Sequence, residues 1–273
     1  MHRTVLVAAT AGEAAHDALA LGVALARPFG AGVVLAGVAP LRGRRAEPPD
    51  TLLRELERLR ETAPSDLPVS ITTTASASVL RGLHDLALER GAQLLVLGPS
   101  HRGAVTRALH GDLAADVVFS APCAVAVATR GQSTQPPRRV GVAWNETRES
   151  NEALEWGVQL AERTGGTVRV VRVLDPRHDD AEFALGVDER LQWVRRAAER
   201  RAATDAEVLW GNPADALTDV TRGLDLLVLG SRAQGPLRRA VLGSVSANVL
   251  HGAHCPVVVL PGGVYAPQDT AAV

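Results

Sequence analysis

The sequence predicts an α/β protein made of two tandem copies of one unit, each a five-stranded parallel sheet with flanking helices. Three observations carry that prediction. The run LLVLG occurs at Leu94–Gly98 and again at Leu226–Gly230, an offset of 230 − 98 = 132 residues, and a fixed internal period of this kind governs how the rest of a chain is read. Gly111 and Gly243 keep the same offset, as do Cys123 and Cys255, while TVLVAAT from Thr4 answers RVGVAWN from Arg139 at 140 − 5 = 135. In both halves short β-branched runs alternate with longer stretches of helical apolar spacing, the pattern of βαβ units and a parallel sheet.

In the first half, strands are expected near 4–9, 32–38, 68–74, 94–98 and 123–128, with helices near 13–27, 50–62, 79–90 and 112–120. The second of these helices shows the reasoning. Pro48 and Pro49 stop the preceding chain, Asp50 offers a cap, and Leu52, Leu53, Leu56 and Leu59 recur at helical spacing. The second half gives strands near 139–144, 167–173, 206–210, 225–229 and 256–260, and helices near 148–164, 187–203, 213–222 and 244–252. Gly211-Asn212-Pro213 reads as a turn followed by a helix cap. The domains are therefore expected at 1–130 and 138–261, joined by a polar, Pro-rich linker at 131–137 and followed by a loose tail at 262–273.

Composition removes several function classes. A formal net charge of −1 gives no long-range attraction to nucleic acid or anionic membranes. The N-terminal apolar run breaks at Thr10 to Glu13, far short of a signal or transmembrane segment, so a cytoplasmic protein is expected. The two cysteines, Cys123 and Cys255, make neither a disulfide framework nor a zinc site built on cysteine. No lysine occurs, and all 29 basic residues are arginine. A P-loop, a protein-kinase site and a pyridoxal phosphate Schiff base each need a lysine, so none can be built here.

In an open parallel sheet, ligands sit outside the carboxyl ends of the strands where the strand order reverses. The segment after the fourth strand of the second copy, Gly230 to Leu250, has glycines framing an Arg-rich loop with Arg232, Arg238 and Arg239, then Gly243-Ser244-Val245-Ser246 opening a helix. Glycines let backbone come close to a ligand, and a helix start offers unpaired amides to an anion. Solvated loop arginines are the plainer reading. His251, His254 and Cys255 invite a metal reading but span a helix end and a strand start, so packing is expected of them. Ser100, His101 and His110 do not form a nucleophile elbow or an assigned acid–base pair. The tryptophans, Trp144, Trp156, Trp193 and Trp210, all in the second copy, are expected as core or interface fillers, with Trp144 beside the site.

On these residues each half resembles a universal stress protein domain: a hydrophobic strand, the spacing Gly-x2-Gly-x9-Gly-Ser, a helix, and a closing strand that reads Cys-Pro-Val-Val-Val from Cys255. The resemblance implies a Rossmann-like domain with strand order 3-2-1-4-5, ATP binding in some members, no dedicated catalytic machinery, and pairing of domains, within a chain or in a homo-oligomer, through the last-strand edges. Carried over position by position, it places Ala143 and Asn145 at the end of the first strand of the second copy and Val173 beside adenine. Leu229, Gly230 and Arg232 follow the fourth strand, and Gly243, Ser244, Val245 and Ser246 cradle the phosphates.

Departures from the pattern matter. Ala233 stands where the second glycine is usual and Asn145 where Asp is usual. If Ala233 needs a left-handed backbone, the cost is about 1–2 kcal/mol, and Asn145 supports a metal ion less well than a carboxylate. In the first copy Thr10 replaces the Asp, His101 the second glycine, and Asp112 the serine after Gly111. A carboxylate at that helix start repels a phosphate by roughly 4 kcal/mol at about 4 Å and an effective dielectric near 20. The expectation is a non-enzymatic stress-response protein that binds ATP or another adenine nucleotide through its second domain only, with no metal and no catalytic residue. A ligand-free scaffold or dimerisation module is the alternative, and a slow nucleotide hydrolase a further one, without a metal-binding carboxylate pair or general base.

Overall fold

Strand β1 (Thr4–Ala8) is apolar from Val5 onward and buried on both faces, which requires a sheet covered on both sides. The computed structural model describes residues 3–9, 12–41, 49–99, 113–177, 192, 194–196, 199, 205–231 and 244–261. After β1 come α1 (Glu13–Ala26), β2 (Gly32–Pro40), α2 (Pro49–Glu61), β3 (Val69–Ser76), α3 (Val79–Glu89), β4 (Leu94–Leu97), α4 (Leu113–Ser120) and β5 (Ala124–Val127). The second half has β6 (Arg139–Ala143), α5 (Arg148–Thr164), β7 (Thr167–Leu174), β8 (Asp205–Trp210), α6 (Pro213–Val220), β9 (Leu226–Ser231), α7 (Ser244–Gly252) and β10 (Val257–Pro261). Of the helix expected near 187–203, only residues 192, 194–196 and 199 are described, and these are helical.

The strands form one ten-stranded sheet in the order β3-β2-β1-β4-β5-β10-β9-β6-β7-β8. Each half thus runs 3-2-1-4-5 in its own numbering, with parallel pairing inside the half. The halves meet through β5 and β10, the one antiparallel pair, with Val258 opposite Ala126. Two last strands that would otherwise leave exposed edges close each other within the chain.

One face of the sheet is covered by α1, α2 and α5, through Leu21, Leu25, Leu56, Leu59, Leu154 and Leu160. The opposite face is covered by α3, α4, α6 and α7, through Leu83, Leu86, Val118, Leu217 and Val249. Where α1 approaches α5, the Phe29 ring lies 6.0 Å from Trp156. The guanidiniums of Arg3 and Arg163 stack on Phe29 at 5.4 and 5.2 Å, joining the halves by aromatic and cation–π contact as well as by the sheet.

Local chemistry explains the element ends. Asn212 caps α6 by accepting from the amides of Ala214 and Asp215 at 2.9 and 3.4 Å, with Pro213 opening the helix. Asp50 lies inside the first turn of α2 rather than at its cap, because Pro49 already belongs to the helix. The amide of Thr4 donates to Gln93 Oε1 at 2.7 Å, and that of Arg139 donates to Asp225 Oδ2 at 2.9 Å, so a polar residue before the fourth strand ties down the start of the first in both halves. Strand β9 runs two residues beyond the expected 229, because Gly230 and Ser231 continue to pair with Leu260 and Pro261. Trp210 ends the outer strand β8 and stays 38% exposed, so it is not a core filler of this chain; among the described residues β8 is the edge of the sheet. Among the described residues no helix is long and apolar enough to cross a membrane.

Candidate functional site

The order of β9, β6 and β7 decides where a ligand can enter. From β6 the chain moves outward to β7 and β8, then returns to β9 on the other side of β6. The carboxyl ends of β6 and β9 therefore flank the point where strand order reverses, and Ala143 and Leu229 sit opposite each other there.

Past Ala143 the chain makes a tight turn into α5. Trp144 donates its backbone N–H to the Val171 carbonyl at 2.9 Å and its indole N–H to Asn151 Oδ1 at 2.9 Å. Its ring joins the cluster under α5, on the opposite face from Leu229, so Trp144 is a core residue that adjoins the turn. Asn145 is half-buried, and its Oδ1 accepts the Thr147 hydroxyl at 2.8 Å while its N–H donates to Ser150 Oγ at 3.3 Å. Thr147 caps α5 by accepting from the Ser150 amide at 3.3 Å, and Ser150 Oγ returns a bond to the Thr147 carbonyl at 2.9 Å. Between these lies Glu146 with φ 68, the one non-glycine residue in the left-handed region among the described residues. A backbone held there costs about 1–2 kcal/mol, and such positions concentrate at ligand-holding turns. The sequence carried no signal for Glu146, whereas Thr147, immediately before a helical pattern, could have been read as its cap.

Gly230 explains why the turn sits where it does. A Cβ on it would lie 2.7 Å from the Ser150 nitrogen and closer still to the Glu149 carbonyl. The missing side chain admits the first turn of α5 against the end of β9. The first half does the same with Gly98 and the Ala14 carbonyl. Helix-on-strand packing therefore requires glycine at this position.

The remaining site residues divide by face and by end. Ala143, Val173, Leu229 and Val245 all pack with the cluster beneath α6 and α7. Val173 lies near the carboxyl end of β7, two residues beyond Val171, the partner of Ala143. Ser244 is the first residue of α7, and Ser246 is buried in the same turn. Arg232 and Gly243 lie outside the described residues, as do Ala233, Thr10, Ser100, His101, His110, Asp112 and Trp193.

In the first half, residues 10 and 11, which match Asn145 and Glu146, lie outside the described residues, and only the flanks of that turn can be compared. Ala9 keeps the backbone bond to Ala36 at 3.0 Å that Trp144 makes to Val171. Yet Gly12 and Ala15 occupy the positions of Thr147 and Ser150 (147 − 135 = 12; 150 − 135 = 15), and α1 opens at Gly12, φ 94, with no side-chain cap. Among the described residues, Gly12 and Ala15 carry no hydroxyl to match those of Thr147 and Ser150.

Other ionisable groups near the strand ends have structural duties. Burial pushes the Cys123 and Cys255 thiols up to about 12, so both stay neutral core groups. Burial also raises Asp225, but hydrogen bonds from the Arg139 guanidinium and from the Arg139 and Arg138 amides outweigh it and hold the carboxyl below 3.8. Among the described residues no group of three or more His, Cys, Asp or Glu side chains gathers as metal ligands would.

Comparison with known proteins agrees with this architecture. The model of the universal stress protein family matches residues 1–129 and again 137–261. A universal stress protein of Mycobacterium tuberculosis is 34% identical over 183 residues, covering 62% of this chain and 61% of that protein, so the matched stretch spans about three-fifths of that relative's length. A second from the same organism is 27% identical over 295 aligned positions, covering 95% of this chain and 100% of the relative. Among solved structures, a universal stress protein from Archaeoglobus fulgidus superposes with a TM-score of 0.73 at 16% identity, over 94% of this chain and 96% of that one. A putative universal stress protein from Pseudomonas aeruginosa gives 0.70 at 16% identity, over 95% and 93%. At such identity these two speak for the fold alone. With the family model matched twice along one continuous sheet, the chain belongs to the universal stress protein family as a tandem two-domain member.

Proposed function

We propose that this chain is a non-enzymatic, cytoplasmic stress-response protein whose second half binds ATP or another adenine nucleotide, the first half serving as its structural partner. The observation that carries the reading is the reversal of strand order between β6 and β9, which brings the carboxyl-end residues Ala143 and Leu229 side by side in the half that also has the helix start at Ser244. The amides at that start, with Gly243 before it, offer hydrogen bonds and a positive dipole end to phosphate oxygens. Val173 supplies an apolar flank for adenine. With Oδ1 of Asn145 taken by Thr147, its Nδ2 is the group left to donate to a ribose oxygen. The asymmetry of the two turns supports one-sided binding: Asn145, Thr147 and Ser150 form a fixed turn in the second half, and Gly12 and Ala15 provide no equivalent in the first.

The test is a titration of the full chain with labelled ATP, alongside native mass spectrometry of the purified protein. One nucleotide per chain is expected. In Gly243→Asp a carboxylate at the helix start lowers affinity by roughly a hundredfold or more, from about 4 kcal/mol of like-charge repulsion discounted for screening. Two equivalent nucleotides per chain, or unaltered affinity in Gly243→Asp, would overturn the assignment.

A further inference from the structure

The connection between the halves does more than span a gap. Its backbone is fastened to α1: the Gln132 amide donates to Asp17 Oδ1 at 2.9 Å, and Arg27 reaches the Thr134 carbonyl at 3.4 Å. Pro136 and Pro137 then lock the chain immediately before Arg138. Beneath this strap, between the end of α1 and the end of α5, lies an open cavity of about 880 Å³, in the size range of small-ligand sites. Its lining includes neither Ala143 nor Leu229.

Three arginines, Arg27, Arg138 and Arg163, line the cavity. Arg163 donates to the Pro28 carbonyl at 3.4 Å, next to Arg27, and the Arg138 guanidinium lies against Gly165, two residues beyond Arg163. Arg27 is neutralised by a two-pronged pair with Asp66 at 2.8 and 3.1 Å. Asp225 also lines the cavity, but its carboxylate is already taken by Arg139. Among the described residues, Arg138 and Arg163 have no carboxylate partner. The Arg163 guanidinium lies over the Phe29 ring, 5.2 Å from its centroid, and donates to the Pro28 carbonyl, two contacts that restrict it before any ligand arrives. Two uncompensated guanidiniums facing one cavity, in a protein of net charge −1, are an arrangement that an anion stabilises. Guanidinium presents a planar fork that matches phosphate oxygens two at a time.

We propose that the cavity under the linker is a second anion site, separate from the nucleotide site, which takes a ligand carrying linked phosphoryl groups between Arg138 and Arg163.

The experiment titrates the full-length chain with inorganic tripolyphosphate by calorimetry, using wild type and the double variant Arg138→Ala, Arg163→Ala. Saturable binding is expected in wild type. Each lost charge-assisted contact is worth about ten- to a hundredfold in Kd, so the double variant weakens binding at least about a hundredfold. Gly243→Asp should leave tripolyphosphate binding under the linker unchanged, which separates this site from the proposed nucleotide site. Absence of saturable binding, or an equal Kd in the double variant, refutes the proposal. Should the double variant fail to fold, phenylglyoxal labelling of wild type answers the same question: tripolyphosphate is expected to protect Arg138 and Arg163, and protection confined to other arginines overturns the assignment. Displacement by ATP would identify a nucleotide tail as the source of the phosphoryl chain, and its absence an inorganic chain, both supporting the site.

Discussion

Gly230→Ala tests the packing of the site with one methyl group. The new Cβ would meet the backbone of α5 at Glu149 and Ser150, 2.7 Å from the Ser150 nitrogen. Side chains can swing away from such an overlap, but a helix backbone anchored by the Thr147 cap and by buried Leu154 and Leu160 cannot do so cheaply. Overpacking typically costs about 1–3 kcal/mol, and a clash with backbone belongs at the upper end. At roughly 2–4 °C per kcal/mol, a loss of about 3 kcal/mol lowers Tm by roughly 6–12 °C. Differential scanning calorimetry reads this directly. Gly223→Ala is the control: nothing lies within 4 Å of its Cβ and its φ is not left-handed, so it should be neutral or stabilising by up to about 1 kcal/mol. Because the displaced turn carries Asn145, Gly230→Ala should also weaken ATP binding if the nucleotide reading is right. A Tm for Gly230→Ala within about 1 °C of wild type would show that α5 does not rest on β9 as described, and the packing explanation for both Gly230 and Gly98 would fall.

Two further predictions concern ionisable groups. With both thiols raised to about 12 by burial, Cys123 and Cys255 should resist iodoacetamide at pH 8 in the folded protein and react fully once it is unfolded in urea; rapid native labelling of either would contradict their burial. The folded pKa of Asp225 is depressed below 3.8, so its contribution is complete above that value and disappears as pH falls through the lower folded pKa. Urea midpoints should therefore fall by less in Asp225→Asn than in wild type as pH is lowered beneath the usual carboxylate range, and at neutral pH the substitution should cost about 1 kcal/mol, since Arg139 is largely exposed; parallel pH profiles for the two proteins would contradict this role.

By itself the sequence determined the repeat, the alternation of strand and helix, and which runs lie inside. LLVLG and AVAV are apolar without interruption, and a strand buried on both faces needs nothing more than that. Helix ends announced by local chemistry, such as Asn212-Pro213, were legible for the same reason: their partners are two or three residues away. Only the tertiary structure decided that β5 pairs with β10 of its own chain, because an edge strand carries the same unpaired amides and carbonyls whether its partner is its own chain or another. It also decided that Gly230 makes room for α5, that Glu146 takes a left-handed backbone, and that Arg138 and Arg163 share a cavity. Each depends on atoms brought together from distant parts of the chain, and pattern and propensity along a sequence describe only neighbours.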